Sequence, residues 1–190
     1  MYLRLGRDSF EIGEYEVRTI RTEDMFTIRR WRNEQMEVLR QNRPLSEEDQ
    51  RRYFEQIILP SFSDNNTQIM LFCFFHQDHL IGYGGLTNLD WVNLRGEISF
   101  LLETSRSDKN AQEQYRRDFS AFLQLMKLVA FDELTLHRLH TETYEFRSFH
   151  ISVLEQNGFH LEGRMRDHIR MNGQFVDSLI HGCVKEPQDV

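Results

Sequence analysis

The chain has 190 residues, enough to bury a sizeable core in a single domain over 1–190. Its 30 acidic side chains outnumber 23 lysines and arginines, and the net charge of -7 argues against a nucleic-acid partner, which needs a basic surface to displace counterions. No run is apolar over the length of a membrane span, and the opening MYLRLGRDSF lacks the apolar segment of a signal peptide, so no membrane association and a cytoplasmic location are expected. Cys73 and Cys183 sit in apolar runs without metal-ligand spacing and read as buried thiols in a reducing compartment.

Residues 15–21 (YEVRTIR) alternate and predict a strand, with a short hairpin over 1–12 turning around Gly6 to Ser9. Thr22 is placed as the N-cap of a first helix, with Glu23 and Asp24 in its first turn and Met25, Ile28 and Trp31 on its apolar side. That helix should end near Trp31, Arg32 and Asn33. After a polar loop over 35–45, Ser46 caps a second helix whose Glu47, Glu48 and Asp49 favour the dipole. Tyr53, Phe54, Ile57 and Ile58 are its expected buried residues, and Pro60 its expected stop. Residues 69–75 and 80–86 predict a hairpin connected by 76–79. Gly82, Gly84 and Gly85 are no nucleotide fingerprint, because no helix follows them; small residues there let neighbouring backbones approach. Residues 89–93 (LDWVN) read as a loop carrying an acid and an amide, followed by a strand over 97–102. The longest helix is expected over 111–133, with Phe119, Phe122, Met126, Val129 and Ala130 on its core side.

Residues 134–168 change hydrophobic period twice. Leu136, Leu139 and Thr141 alternate, Phe149, Ile151, Val153 and Leu154 recur at helical spacing, and Phe159 opens another alternating run. The reading is strand, helix over 147–156, strand, with Gly158 taking the left-handed conformation that ends the helix. Arg147 and His150 put positive charge at the end of that helix where the dipole is already positive, which calls for an anion nearby. Glu142 or Glu145 would serve; so would a bound phosphate or a thiolate.

The set His137-Arg138-Leu139, Val153-Leu154-Glu155, Gly158-Phe159, Glu162-Gly163, Arg166-Asp167 and Asp177 resembles, in this order, the C-terminal part of the GNAT superfamily of acetyl-CoA-dependent N-acetyltransferases. The likeness is to the branch of the ribosomal-protein-alanine acetyltransferases. The loop GLTNLDWVNLRGEISFLL and the triplet Trp31-Arg32-Asn33 are also similar to the branch that acetylates amino-sugar nucleotides. The resemblance implies an α+β fold: a mixed central sheet of about seven strands, splayed between the fourth and fifth, flanked by about four helices. It implies acetyl-CoA as acyl donor and a small-molecule amine, such as an amino-sugar nucleotide, as acceptor; a peptide N-terminus is the second enzymatic option. A homodimer formed through the apolar final strand over 175–184 is a further expectation.

Forming an amide from a thioester requires a neutral amine, stabilisation of the tetrahedral oxyanion, and protonation of the departing thiolate. The resemblance puts Glu97 in the position of the base and assigns the oxyanion to backbone N–H groups around Phe100, Leu101 and Leu102. His150 occupies a place where some relatives carry a serine and is the candidate proton donor to sulfur, with Ser152 and Tyr144 as weaker substitutes. The phosphate-binding pattern Q-G-x-G falls on Gln114-Tyr115-Arg116-Arg117, so both glycines are replaced. Either Arg116 and Arg117, with Asp118 and Glu113 beside them and Arg147 on the facing helix, supply other contacts to the cofactor, or the domain is a binding module whose CoA site has decayed. Arg32, Asn33, Asp90 and Asn93 are the candidate acceptor-binding residues.

Overall fold

The computed structural model describes residues 1–186. Strands β1 (Ser9–Ile12), β2 (Tyr15–Thr19), β3 (Met70–His76), β4 (His79–Asp90) and β5 (Arg95–Leu102) follow one another antiparallel across the sheet. β6 (Arg138–Tyr144) then runs parallel to β5, which obliges a crossover, and helix α3 (Gln112–Lys127) supplies it. β7 (His160–Met171) and β8 (Gln174–Val184) close the sheet in the order β1-β2-β3-β4-β5-β6-β8-β7. This is the α+β architecture the resemblance implies, with eight strands rather than seven because SFEI also pairs along β2.

β5 and β6 are partners only at Arg95↔Arg138, Gly96↔Leu139 and Glu97↔His140. Beyond Glu97 the two strands diverge, although β5 continues to Leu102 and β6 to Tyr144. The sheet is thus forked where a splay was expected.

Helices α1 (Met25–Glu34) and α2 (Glu47–Tyr53) cover one face; α3 and α4 (Ser148–Gln156) cover the other. With both faces covered, β3 reads as the unbroken apolar run MLFCFF, since even its alternate residues need an apolar partner. Leu71, Cys73, Tyr83 and Leu101 pack under α1 and α2 with Ile28, Trp31, Phe54 and Ile58. Phe72, Phe74, Leu86 and Leu102 pack under α3 with Phe119, Phe122, Met126 and Val129. Cys73 and Cys183 are both buried and free. No helix of the described residues is long and apolar enough to cross a membrane.

Gly84 shows why the glycines of β4 are small. A Cβ there would lie 2.2 Å from the Ser99 carbonyl oxygen and 2.7 Å from Phe122 Cζ, so a side chain would push β5 or α3 away.

Several local expectations are corrected. Arg21, not Thr22, precedes the first turn, and Asp24 Oδ2 accepts from the Arg21 N–H at 2.9 Å. Ser46 does cap α2, receiving the Asp49 N–H at 3.0 Å. Pro60 does not stop that helix: it widens into a π turn over Phe54–Ile58 and ends as an α turn over Leu59–Ser61, and the wider turn accommodates a ring that would clash in a regular helix. Phe54 and Ile58, four apart, face the core, whereas Tyr53 and Ile57 precede them by about 100° of rotation and are exposed. The expected loop over 89–93 is shorter, because β4 runs through Asp90. Finally, β8 lies between β6 and β7 with both edges paired over 178–182, so that stretch has no free edge for a second chain.

Candidate active site

Along β5 the odd-numbered peptides face β4: the Ser99 and Leu101 carbonyls abut Gly84 and Gly82, and the Glu103 N–H bonds to Ile81 O at 2.8 Å. The even-numbered peptides therefore face β6, as the Leu94 carbonyl does in accepting from Arg138 N–H at 3.1 Å. Past the fork this leaves Phe100 and Leu102 with N–H groups turned into the gap and no strand opposite. Of the three backbone donors expected, Phe100 and Leu102 face the gap and Leu101 does not, since Leu101 pairs with Tyr83 on β4. Gln35, buried at the end of α1, holds the Leu102 carbonyl at 2.8 Å and so fixes the far end of the fork.

Side chains alternate the other way, which sends Glu97 and Ser99 toward the α1 and α2 face. Glu97 is held by two groups. Asn88 Nδ2 donates to Oε2 at 2.6 Å, and Arg40 Nη2 donates to Oε1 at 3.0 Å and also to Glu142 Oε2 on β6 at 2.7 Å. Arg40 thus bridges the two diverging strands. Its side chain is 51% exposed while Glu97 and Glu142 are 13% and 14% exposed. Asn88 has φ +48° and lies at the irregularity where β4 slips register between Thr87 and Asp90. That bulge aims its amide at Glu97, a use of bulges common beside active sites.

Three cavities meet at the fork. One of about 310 Å³ lies between α1, α2 and the sheet, walled by Ile28, Arg32, Tyr53, Tyr83 and Ser99. A second of about 340 Å³ contains Glu97, Arg40, Glu142, Tyr144 and His150, and shares Arg32, Thr87 and Ser99 with the first. The third, about 990 Å³, runs from Phe100 and Leu102 along the starts of α3 and α4, and shares Val38, Phe100, Arg147 and His150 with the second.

His150 on α4 is buried and stacks on Phe119 at 4.3 Å between centroids, and its Nδ1 lies 2.6 Å from the Tyr115 hydroxyl. Burial first, then the neighbouring Arg147 and His181, hold its pKa well below the ordinary histidine value, so it is neutral at physiological pH. Burial also raises the Tyr115 hydroxyl, with Arg147 opposing. The anion called for by Arg147 and His150 is not supplied by the nearby glutamates. Glu142 binds Arg40, and Glu145 binds Arg164 at 2.7 Å.

The remaining expected site residues divide. Tyr115 forms part of the groove wall with its ring turned inward against Phe100, Phe119 and Phe149, and does not fill the opening. Because α3 begins at Gln112, the 114–117 quartet lies within the helix instead of opening it. Gln114 donates to Asp118 at 2.6 Å, Arg117 to Gln114 at 2.9 Å, and Arg116 sits by Glu113 at 3.5 Å; of the quartet Tyr115 alone lines the groove. Asp118 is fully buried and ties Tyr15 at 2.8 Å and Arg106 at 2.9 Å, a link between β2 and α3. Arg147 does line the groove. On the acceptor side, Arg32 donates to the Tyr83 hydroxyl at 2.7 Å and lines both smaller cavities. Asn33 is used up internally: its amide grips both backbone polar groups of Leu45, at 3.0 and 2.8 Å. Asp90 accepts from the Asn93 N–H at 2.9 Å and from its side chain at 2.7 Å, which closes the β4–β5 turn away from the cavities.

A passage of this kind lets two reactants meet end to end inside a sheet, one from each face, with free N–H donors at the junction. Transfer of an acyl group from a thioester to a nitrogen needs that arrangement, and the class is an acyl-CoA N-acyltransferase. A family model described as an acetyltransferase (GNAT) domain matches residues 17–180, and the chain belongs to that family, with acetyl-CoA as acyl donor. Among solved structures, a spermidine N-acetyltransferase from Vibrio cholerae, in complex with CoA and spermine, is similar with a TM-score of 0.75 at 17% identity, covering 90% of this chain and 95% of that one. A ribosomal-protein-S5-alanine acetyltransferase from Vibrio fischeri is similar with a TM-score of 0.67 at 20% identity, covering 93% and 96%. A probable acetyltransferase matches with a TM-score of 0.70 at 22% identity over 93% and 96%. The residues present fit an acyl-CoA: the groove is open, the Phe100 and Leu102 N–H groups are unspent, and Arg147 offers a cation beside them.

Proposed function

We propose that this protein acetylates the primary amine of a small, cationic molecule, with Glu97 as the base. The observation that carries the reading is the position of Glu97 at the last paired residue of the fork, on the acceptor face, with its carboxylate in the cavity that joins the other two. Acetyl-CoA supplies the acetyl group already activated as a thioester. The Phe100 N–H donates to the oxygen that gains charge, and Glu97 takes the proton of the attacking amine once Arg40 swings from it. Two carboxylates, Glu97 and Glu142, favour a protonated amine at the cavity they share and disfavour phosphate there. That supports a cationic amine over an amino-sugar nucleotide as the acceptor, and the small volume of the adjoining cavity supports a small molecule over a peptide N-terminus.

The test is thiol release from acetyl-CoA in the presence of di- and polyamines, amino-sugar nucleotides and N-terminal peptides. The reading expects turnover with the amines. Turnover confined to a UDP-amino sugar or to peptides would transfer the assignment to that class, and no affinity for acetyl-CoA would leave a binding module.

A further inference from the structure

The thiolate produced by acyl transfer must gain a proton, and the neutral imidazole of His150 cannot provide one alone, because losing its N–H would leave an imidazolate. The geometry around it supplies the missing half. Arg147 Nη2 lies 3.4 Å from His150 Nδ1 and 3.4 Å from the Tyr115 hydroxyl oxygen. A guanidinium only donates, so Nδ1 presents its lone pair on that side, and the Tyr115 O–H, 2.6 Å away, donates to the same nitrogen. Two donors converging on Nδ1 fix the tautomer: the ring proton is on Nε2. The Phe119 stack at 4.3 Å and 17° holds the plane of the ring, and the same ring walls both the cavity of Glu97 and the acyl-donor groove.

We infer that Tyr115, acting through His150, is the proton source for the departing thiolate, and that Arg147 holds the resulting tyrosinate. The step balances. The Nε2–H bond breaks as the S–H bond forms, the Tyr115 O–H bond breaks as Nδ1–H forms, and the negative charge moves from sulfur to the tyrosine oxygen beside Arg147. The pair resets when Nε2 takes a proton from solvent and Nδ1 returns its own to the tyrosinate; the proton gained is equivalent to the one Glu97 has taken from the amine. Desolvation makes the departing thiolate more basic than in water, and Arg147 opposes the rise that burial gives the Tyr115 hydroxyl; both narrow the difference between the two groups. Tyr115 is a positioning residue in this scheme, and a side chain at that helix position is an asset to the site and no obstacle to it. The inference rests on the acetyl-CoA reading of the groove.

Two measurements test it, one of them independent of turnover. Nitrogen-15 NMR of the histidines in the free protein should find His150 as the Nε2–H tautomer, unchanged between about pH 6 and 8, with its Nδ1 resonance moved by Tyr115→Phe. An Nδ1–H tautomer, or an imidazolium forming in that range, would overturn the relay. Tyr115→Phe keeps the ring and its packing. It should lower kcat about 100-fold, the scale of one proton transfer, with calorimetric affinity for acetyl-CoA changed less than about twofold. In single turnover the wild-type rate should depend on the deuterium fraction of solvent as two protons moving together, and the variant as one. An unchanged kcat, or identical isotope dependence in both proteins, contradicts the inference. Absence of acetyl transfer by the wild type to any amine would count against the proposed function and leave the NMR result to be judged by itself.

Discussion

The two faces of the fork are built from opposite materials. On the acceptor face, Glu97, Arg40, Glu142 and Asn88 form a charged cluster bridged across the diverging strands by a half-exposed arginine. On the donor face, Phe100, Tyr115, Phe119 and His150 form an aromatic wall, whose polar contacts join two neutral groups to each other and to Arg147. The proposed chemistry accounts for the division. A base must stay ionised before it acts, so it keeps a countercharge and access to water; a proton donor must stay neutral before it acts, so it is kept dry.

The sharpest way to break this comparison is to remove charge from the acceptor face alone. Glu97→Gln should lower kcat by about 10² to 10³-fold, the range of a lost general base, while calorimetry finds acetyl-CoA binding unchanged. A variant with wild-type turnover would place the base elsewhere. Next in size is damage to the layer both faces share. Gly84→Ala forces a methyl against the Ser99 carbonyl and the Phe122 ring, and should cost about 1–3 kcal/mol in urea unfolding, an overpacking penalty. If stability is unaffected, β4 and β5 are less closely apposed than described.

The donor face should report itself through pH. His150 is neutral when folded because its pKa is pushed well below the ordinary value of 6.5, whereas in the unfolded chain it protonates near that value. The unfolded state therefore binds more protons below about pH 6.5, and the stability this group contributes is complete above that pH and lost as the pH falls toward the folded pKa. The slope cannot exceed about 1.4 kcal/mol per pH unit for one group. Denaturation midpoints between about pH 7 and 5.5 should fall less steeply for His150→Gln than for the wild type. His181 and His140, also depressed chiefly by burial, maintain part of the slope in the variant. Equal slopes would mean that His150 meets water. The smallest effect is expected at Arg40. Its bridge is half exposed, worth about 1 kcal/mol, so Arg40→Met should lower the KM for a cationic acceptor by about fivefold as the carboxylates lose their internal partner. A raised KM would make the arginine a contact for the acceptor.

Much of the fold was legible because it is local: the Ser46 cap, the inward face of α3 and the left-handed Gly158, at φ +77°, are each specified within a few residues. The exposure of Tyr53 and Ile57 was not, because two adjacent apolar pairs at the same spacing of four do not say which pair faces the sheet. At the site, Glu97 and His150 were marked by the family resemblance, but their partners were invisible. Arg40 meets Glu97 across 57 positions and Glu142 across 102, and Tyr115 meets His150 across 35; nothing local to any of them announces the contact. Asp90 and Asn93 failed for the reverse reason. Their spacing of three is that of a self-contained turn, which consumes both side chains.

The central claim is that acetyl-CoA lodges in the fork against the peptide groups of β5, and residue-resolved amide exchange with and without acetyl-CoA tests it most directly. In the free protein the Phe100 N–H, which has no strand opposite it, should exchange fast while its neighbour Leu101 is protected by β4; acetyl-CoA should slow Phe100 and leave Leu101 as it was. Protection already present at Phe100 in the free protein, or a Phe100 rate indifferent to saturating acetyl-CoA, would contradict the account.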